Sequence, residues 1–514
     1  MQQLQSYLQD SWQQGQGAPV AIHDATTGAV MAGASSAGLD LGAALAHARS
    51  VGGPALRALT FRQRGAILSA LSKAIRDDRD ALLDIAAANM GATRGDAKFD
   101  VDGASGTLAF YAALGEQLGD RTWLNDGEEV RLSRSPRWVA QHVQVARRGV
   151  AVHINAFNFP AWNMAEKLAT ALLAGMPVLA KPATATLPLA VEVAQRWLAT
   201  GVLPAGAFSL LSGSVADLLD HVGPQDCIVF TGSGDTGARI RGHHNVLRHN
   251  VPVNVEADSL NAAVLGPDLG PGDAAWDMAI GEIVRELGQK AGQKCTAIRR
   301  ILVPADKVQE LHEAIVDRTA TMQVGDPTQH ETTVGALSTA QQKRDVEAGI
   351  AAFEQAGLQT FWQHGSAPAQ GFYVAPRLFR SDAGVDAPLV HDHEVFGPVA
   401  TVLPYDGSVA AAAAIVARGG GSLVTSVFSD DEAFAGPLLL EIAPYCGRLY
   451  WGSEKVADSA TGHGAVLPGT VHGGPGKAGG GEELGGLRGL AFYMQRTGIQ
   501  GDAALLRRLL AKDG

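Results

Sequence analysis

Cysteine is scarce: Cys227, Cys295 and Cys446 are the only three in 514 residues. So few thiols in so long a chain exclude a disulfide scaffold and point to a reducing, cytoplasmic setting. Positive charge is in deficit, with 41 Lys and Arg against 52 Asp and Glu, a formal net charge of −11. That balance argues against nucleic acid or an anionic membrane as the main partner. Long apolar runs are missing too. The most apolar segment, 168–180, is too short to span a bilayer and is broken by Gly175 and Pro177. The opening residues, MQQLQSYLQDSW, have no basic stretch followed by an apolar one, so no signal peptide is expected. Internal repeats and charged tails are absent.

What is present has a globular balance, 46% hydrophobic and 18% charged. The length suits two or three domains, each burying its own core. Glycine is abundant at 62 residues, as expected of the tight turns of a large α/β enzyme. Apolar residues recur at helical spacing over 41–92. Over 128–152 charged and β-branched residues alternate, which suits an exposed hairpin or arm. Short β-branched runs then alternate with helical stretches. GVAVHINAF, PVLAKP, AFSLLSG, CIVFTGS and VPVNVEA read as strands, with helices between them, including one over VADLLDHVG. This rhythm predicts a parallel sheet with helices on both faces. A second alternating block runs from about 258 to 450, with strands at RRILVPA, PVATVLPY and SLVTSVFS. Near the end, LAFYMQRTGIQG reads as an edge strand.

Several positions carry possible chemistry. Gly232, Gly234 and Gly237 fit G-x-G-x-x-G between a strand and a helix, the setting a dinucleotide fingerprint needs. A tight turn opening a helix accounts for them equally well. Glu256 ends a very apolar strand. A carboxylate there suits a general base, because a partly apolar cleft raises its pKa. The Rossmann spacing also allows Glu256 to hold a ribose. Cys295, in GQKCT, follows Gly292 rather than sitting in an apolar run, as a reactive thiolate would. Cys227 and Cys446 read as small core residues. Asn158, before Phe159-Pro160, can aim its amide at a developing oxyanion or simply make an Asx-turn. Lys181 at a strand end can meet ribose or phosphate oxygens, or lie in solvent.

Together, NAFNFP, AGMPVLAKPATATLP, FTGS, a strand-end glutamate, GQKC and HEVFGPV stand in the order and spacing of the NAD(P)-dependent aldehyde dehydrogenase superfamily. The resemblance covers nearly the whole chain. It implies the α/β aldehyde dehydrogenase fold: a parallel-sheet dinucleotide-binding domain, an α/β catalytic domain and a β oligomerisation arm. On that pattern residues 1–127 and 148–257 form the cofactor domain, and 128–147 the arm. Residues 258–450 form the catalytic domain, and 451–514 return to the cofactor domain and add an oligomerisation strand. The resemblance makes Cys295 the nucleophile, Glu256 the general base, and Asn158 the oxyanion hole with the Cys295 backbone N–H. Lys181 resembles the adenosine-ribose ligand, Gly232 and Ser233 with Gly237 the pyrophosphate loop, and Glu394 and Phe396 the nicotinamide-ribose contacts, with Phe157 also on the cofactor side. Lys167 and Glu483 match positions flanking a proton exit path, which Glu166 would join. No metal is implied.

Two departures refine the expectation. The family often has a glutamate three residues after the lysine, bidentate to the ribose hydroxyls; here it is Thr184. A short neutral side chain leaves room for a 2′-phosphate, so NADP is expected over NAD. The usual Gly-Gly-Lys after the glutamate is Ala257-Asp258-Ser259. That change, with SATGHGAVLP and VHGGPGKAGGGEELGGLRG, resembles a branch that serves aromatic breakdown, in which some members are fused to a hydratase domain. With the sequence ending at Gly514, a stand-alone member oxidising a CoA-linked semialdehyde is expected. The arm and the last strand suggest a homodimer, by strand pairing between subunits. The alternatives are a general medium- or long-chain aldehyde dehydrogenase, a CoA-acylating enzyme, a thioesterase-like hydrolase, and a non-catalytic scaffold.

Overall fold

The computed structural model of the chain describes residues 2–511. Two seven-stranded sheets dominate it. The first has the order Val253–Glu256, Cys227–Thr231, Ala151–Ile154, Val178–Lys181, Phe208–Leu210, Ser6–Leu8, Ser11–Gln13. The first five strands run parallel, and the N-terminal pair joins antiparallel. Alternate residues of these strands face opposite layers, as the pleat requires. Ala151, Val178, Ala180 and Val229 pack under the helices Phe61–Asp77, Arg94–Leu118, Pro160–Ala174 and Leu187–Ala199. Val152, Ile154, Leu179, Ile228 and Val255 join the core on the other face.

The second sheet has the order Gln359–Gln363, Arg377–Arg380, Val399–Tyr405, Arg300–Pro304, Ala262–Leu265, Ser422–Phe428, Cys446–Gly452. It is parallel except at Gln359–Gln363. Its two faces carry separate cores, one around Trp276 and Leu311, the other around Tyr405 and Phe434. Its last strand runs on to Gly452, just past the expected boundary at 450.

Two segments differ from the sequence reading. VADLLDHVG is a single 3-10 turn at Leu218–His221, because Ala216 takes a left-handed φ of 47° that stops a longer helix from starting there. Residues 94–118, which gave no periodic signal, form a 25-residue helix opened by a Thr93–Asp96 capping box. Its glycines hide the pattern, yet Gly115, facing Gly65 of the helix Phe61–Asp77, is what allows the two helices to pack. A Cβ on Gly115 would stand 2.7 Å from the Phe61 carbonyl oxygen, and one on Gly65 would stand 2.8 Å from that of Ala112.

Outside the sheets, Trp138–Ala146 pairs antiparallel along its whole length with Met494–Asp502, which forms an edge as expected. A hairpin of Val471–Gly474 and Gly481–Leu484 docks against the edge strand Val253–Glu256. The Ala257 N–H donates to the Ala478 carbonyl at 3.0 Å, and the Glu482 N–H to the Asn254 side chain at 2.8 Å. Among the described residues no helix is long and apolar enough to cross a membrane.

Candidate active site

Cys295 is presented by a turn under constraint. After the helix Ala274–Gly288, Lys290, Ala291 and Gly292 take φ of 55°, 50° and 68°. Left-handed non-glycine residues cost on the order of 1–3 kcal/mol each, so the surroundings must hold them. Lys290 is buried and paired electrostatically with Asp100 and Asp96. Ala291 is sunk in an apolar cluster with Val334 and Leu337. Gly292 has to be glycine, since a Cβ there would lie 2.2 Å from the Gly397 carbonyl oxygen. Beyond the turn, the Asn261 side chain donates to the Cys295 carbonyl at 2.8 Å and to that of Ala297 at 2.9 Å. Arg299 donates to the Gly292 carbonyl at 2.9 Å. Lys294, next to Cys295 in sequence, lends the thiol no direct contact. Its ammonium is buried against Glu286 at 2.6 Å and Gln289 at 2.7 Å.

A cavity of about 710 Å³ opens at the C-terminal ends of the first sheet, where ligands of such sheets bind. Its wall includes Phe157, Asn158, Glu256, Cys295, Gly232 and Ser233. Glu394 and Phe396 line it from the second sheet's side. The Asn158 amide is buried and donates to the Gln293 carbonyl at 3.1 Å, which ties it to the cysteine loop. Glu394 accepts from Arg299 at 3.2 Å and from the Ser259 N–H at 3.1 Å. Burial outweighs these partners and pushes its carboxyl up to about 7.

Glu256 faces the thiol end of the cavity. Its carboxylate, the Cys295 sulfur and the His472 imidazole offer atoms within 4.8 Å of one another. His472 Nε2 stands 3.2 Å from Glu256 Oε1 and 3.9 Å from Cys295 Sγ. Burial alone would raise the Glu256 carboxyl. The charges of His472 and Lys167 outweigh it and hold the group below the usual carboxylate range, opposite to the rise expected of a carboxylate in a partly apolar cleft. Burial and the Glu256 charge push the Cys295 thiol well up. Behind Glu256, Lys167 sits between Glu166 at 3.0 Å and Glu483 at 3.1 Å, all three buried. Burial pulls the Lys167 ammonium down, but its carboxylate neighbours win and raise it. Burial pushes the Glu483 carboxyl up to about 7.

The remaining expected positions lie around the cavity rather than on its wall. Lys181 ends its strand half-buried, and burial lowers its ammonium to about 8. Thr184 opens the following 3-10 turn and donates to the Gly213 carbonyl at 3.1 Å, while Ala183 beside it does reach the wall. Gly237 sits inside the helix Gly234–Arg241, where a Cβ would approach Val255 to 2.8 Å, so it serves helix–strand packing. Asp258 accepts from the Gly234 N–H at 3.1 Å and so places an acid at that helix start. Cys227 is fully buried, Cys446 contacts the Thr425 hydroxyl at 3.2 Å, and neither lines the cavity. Sequence reasoning missed His472 and Asn261. A histidine in a glycine-rich run carries no signal of its own; the one available clue was its register opposite Glu483 once the hairpin is drawn.

Residues 12–499 match the aldehyde dehydrogenase family. The chain is 45% identical over 478 residues to a 3,4-dehydroadipyl-CoA semialdehyde dehydrogenase of Aromatoleum evansii, covering 92% of this chain and 93% of the relative. It is 38% identical over 174 residues to Protein MaoC of Klebsiella aerogenes, covering 34% of this chain and 52% of the relative. Among solved structures, a 3,6-anhydro-L-galactose dehydrogenase in complex with NAP superposes with a TM-score of 0.85 at 20% identity, over 98% of this chain and all of the other. Lactaldehyde dehydrogenase from Escherichia coli gives 0.83 at 21% identity, over 97% and 99% of the two chains. With its parallel sheets, its cavity and its cysteine loop in place, this chain belongs to the aldehyde dehydrogenase family.

Proposed function

We propose that the protein oxidises a CoA-linked semialdehyde, 3,4-dehydroadipyl-CoA semialdehyde or a close analogue, to the carboxylic acid, with NADP as acceptor. The observation that carries the reaction type is that Cys295, Glu256 and Asn158 line one cavity, with the Cys295 sulfur and the Glu256 carboxylate offering atoms within 4.8 Å of each other. The substrate class rests on the 45% identity to the Aromatoleum evansii enzyme. In this reading the first sheet is the cofactor domain and the second the catalytic domain. The paired strands Trp138–Ala146 and Met494–Asp502 are the arm of a homodimer.

The cavity suits a dinucleotide. Both side-chain polar atoms of Asn155 and the Thr231 hydroxyl are buried without partners, and both residues line it. A polar ligand in the cavity is one source of the partners such buried polar atoms call for. Gly232 and Ser233 would hold the pyrophosphate, Lys181 and Thr184 the adenosine ribose and its phosphate, and Glu394 and Phe396 the nicotinamide ribose. When bound, the nicotinamide supplies the acceptor for the hydride.

The chain's own residues do the rest. The Cys295 thiolate attacks the aldehyde carbon, and the C=O pair moves to oxygen. The Asn158 amide and the Cys295 N–H stabilise that oxyanion. Loss of hydride leaves a thioester on Cys295. Glu256 takes a proton from water, the hydroxide attacks the thioester, and the acid leaves with the thiolate restored. A carboxylate placed beside the thiol favours water as acyl acceptor over the free thiol of a CoA-acylating enzyme. Initial rates with a CoA-linked semialdehyde and with free aliphatic aldehydes, each with NAD and NADP, test the proposal. A kcat/KM at least tenfold higher for the CoA-linked substrate, with acid as product, is expected. Equal or better rates with free aldehydes contradict the substrate class.

A further inference from the structure

A carboxylate next to a thiol is an awkward way to make a thiolate. Glu256 is ionised, and its charge raises the Cys295 thiol further above a range that burial has already raised. A nucleophilic cysteine needs the opposite, a cation at the sulfur. Three basic side chains near the site are committed elsewhere. Lys294 is paired with Glu286, Lys167 is held between Glu166 and Glu483, and Arg448 donates to the carbonyls of Ala465 and His463. The basic nitrogen that faces Sγ is His472 Nε2, at 3.9 Å.

We propose that His472 is a catalytic residue that takes the Cys295 proton, so that the thiol reacts as one half of a thiolate–imidazolium pair flanked by Glu256. The inference rests on the thioester route proposed above and adds a separate proton carrier to it. The S–H bond breaks, its electron pair stays on sulfur, and the proton passes to Nε2; the net charge of the three groups does not change. Glu256 then never carries the thiol proton and remains ionised for the later step, in which it must accept one from water. When the thioester is cleaved, the departing thiolate again meets the imidazolium.

The fold fixes this arrangement. His472 is buried on a hairpin directly opposite Glu483. That hairpin is docked on the strand that ends in Glu256, so the two side chains are set by the same backbone contacts. Burial disfavours the imidazolium, and Arg448 from the strand Cys446–Gly452 also opposes it. Glu256 outweighs both, helped by Glu166 from the helix Pro160–Ala174, and the imidazole is raised above its ordinary value. Glu483 on the paired strand also faces it, with its charge offset by Lys167.

Alkylation tests this without cofactor or aldehyde. The rate of Cys295 modification by iodoacetamide is measured from pH 5 to 10, with the site read by peptide mass. The wild type should show a reactive plateau near neutral pH, below the ordinary thiol ionisation at about 8.5. In His472→Phe and His472→Gln that plateau should vanish, the remaining inflection should rise by at least one pH unit, and the rate at pH 7 should fall about tenfold or more. NADP should still bind within about twofold, which separates lost proton transfer from lost fold. A wild-type profile with one inflection above the ordinary thiol value overturns the proposal, whatever the variants do. So do variants with an unchanged profile. Because no aldehyde is turned over, an intact plateau in a protein that rejects the CoA-linked substrate would sink the substrate assignment and leave the ion pair standing.

Discussion

Cys295→Ala should leave less than a few per cent of the oxidation rate with an unchanged cofactor dissociation constant, since in the proposed mechanism the thiol makes the covalent bond and the nucleotide is held by the first sheet. Cys227→Ala and Cys446→Ala should stay active, because both sulfurs lie off the cavity. Steady-state rates and a fluorescence titration of cofactor check both. On the proposed reading, cofactor preference should turn on Thr184. A glutamate there would repel a 2′-phosphate, so Thr184→Glu should weaken NADP at least tenfold, about 1.4 kcal/mol, and NAD far less. A wild type that favours NAD tenfold contradicts this. Lys181 adds a pH dependence. Its ammonium is lowered to about 8 by burial, and a phosphate prefers the charged form. The NADP dissociation constant should therefore rise as pH climbs above about 8, while that of NAD stays nearly flat; calorimetric titration at pH 7 and 9 reads the difference. At this scale the placement of Cys295, Glu256 and Asn158 on one cavity was legible, because each stands at or just past the end of a recognisable strand or helix. His472 and Asn261 were not, because their partners lie 177 and 34 residues away in sequence.

The element that decides the site is the turn at 289–292. Gly292→Ala forces a Cβ to within 2.2 Å of the Gly397 carbonyl at a φ of 68°. The variant should lose at least about 1–3 kcal/mol of stability from the backbone strain alone. It should also lose most of its activity, because the cysteine loop must move. Urea unfolding and steady-state rates test this together, and a variant with wild-type values for both would show that the turn relaxes freely. The parallel strands were read from their β-branched runs and their spacing. The helix Arg94–Leu118 escaped because its glycines break the apolar period, one of them, Gly115, permitting the close packing on Phe61–Asp77. The docking of the hairpin at 471–484 on the edge strand was equally hidden, since glycines pattern neither of its faces.

For the whole molecule, the exposed apolar residues of the arm and of the helix Ala503–Ala511 that follows it argue for a dimer. Trp138 and Val145 on the arm and Leu505 and Leu509 on that helix are all at least 40% exposed, and among the described residues the strand Met494–Asp502 is paired on one side only. Such an edge is a template for another copy. Light scattering should give twice the chain mass of 53.4 kDa, and truncation before Met494 should give monomer or aggregate. A wild-type monomer at micromolar concentration contradicts the dimer. The complete cycle is tested most directly by Glu256→Gln, which keeps the side chain's shape and removes its basicity. The thiol and Asn158 remain, so one turnover should proceed. Steady-state turnover should then fall by about 10² to 10⁴, the usual loss of a general base. The account predicts a burst of reduced cofactor near one equivalent per site and an intact mass that carries the acyl group on Cys295. A raised cofactor dissociation constant with normal turnover at saturation and no trapped adduct would contradict it, and would return Glu256 to the ribose.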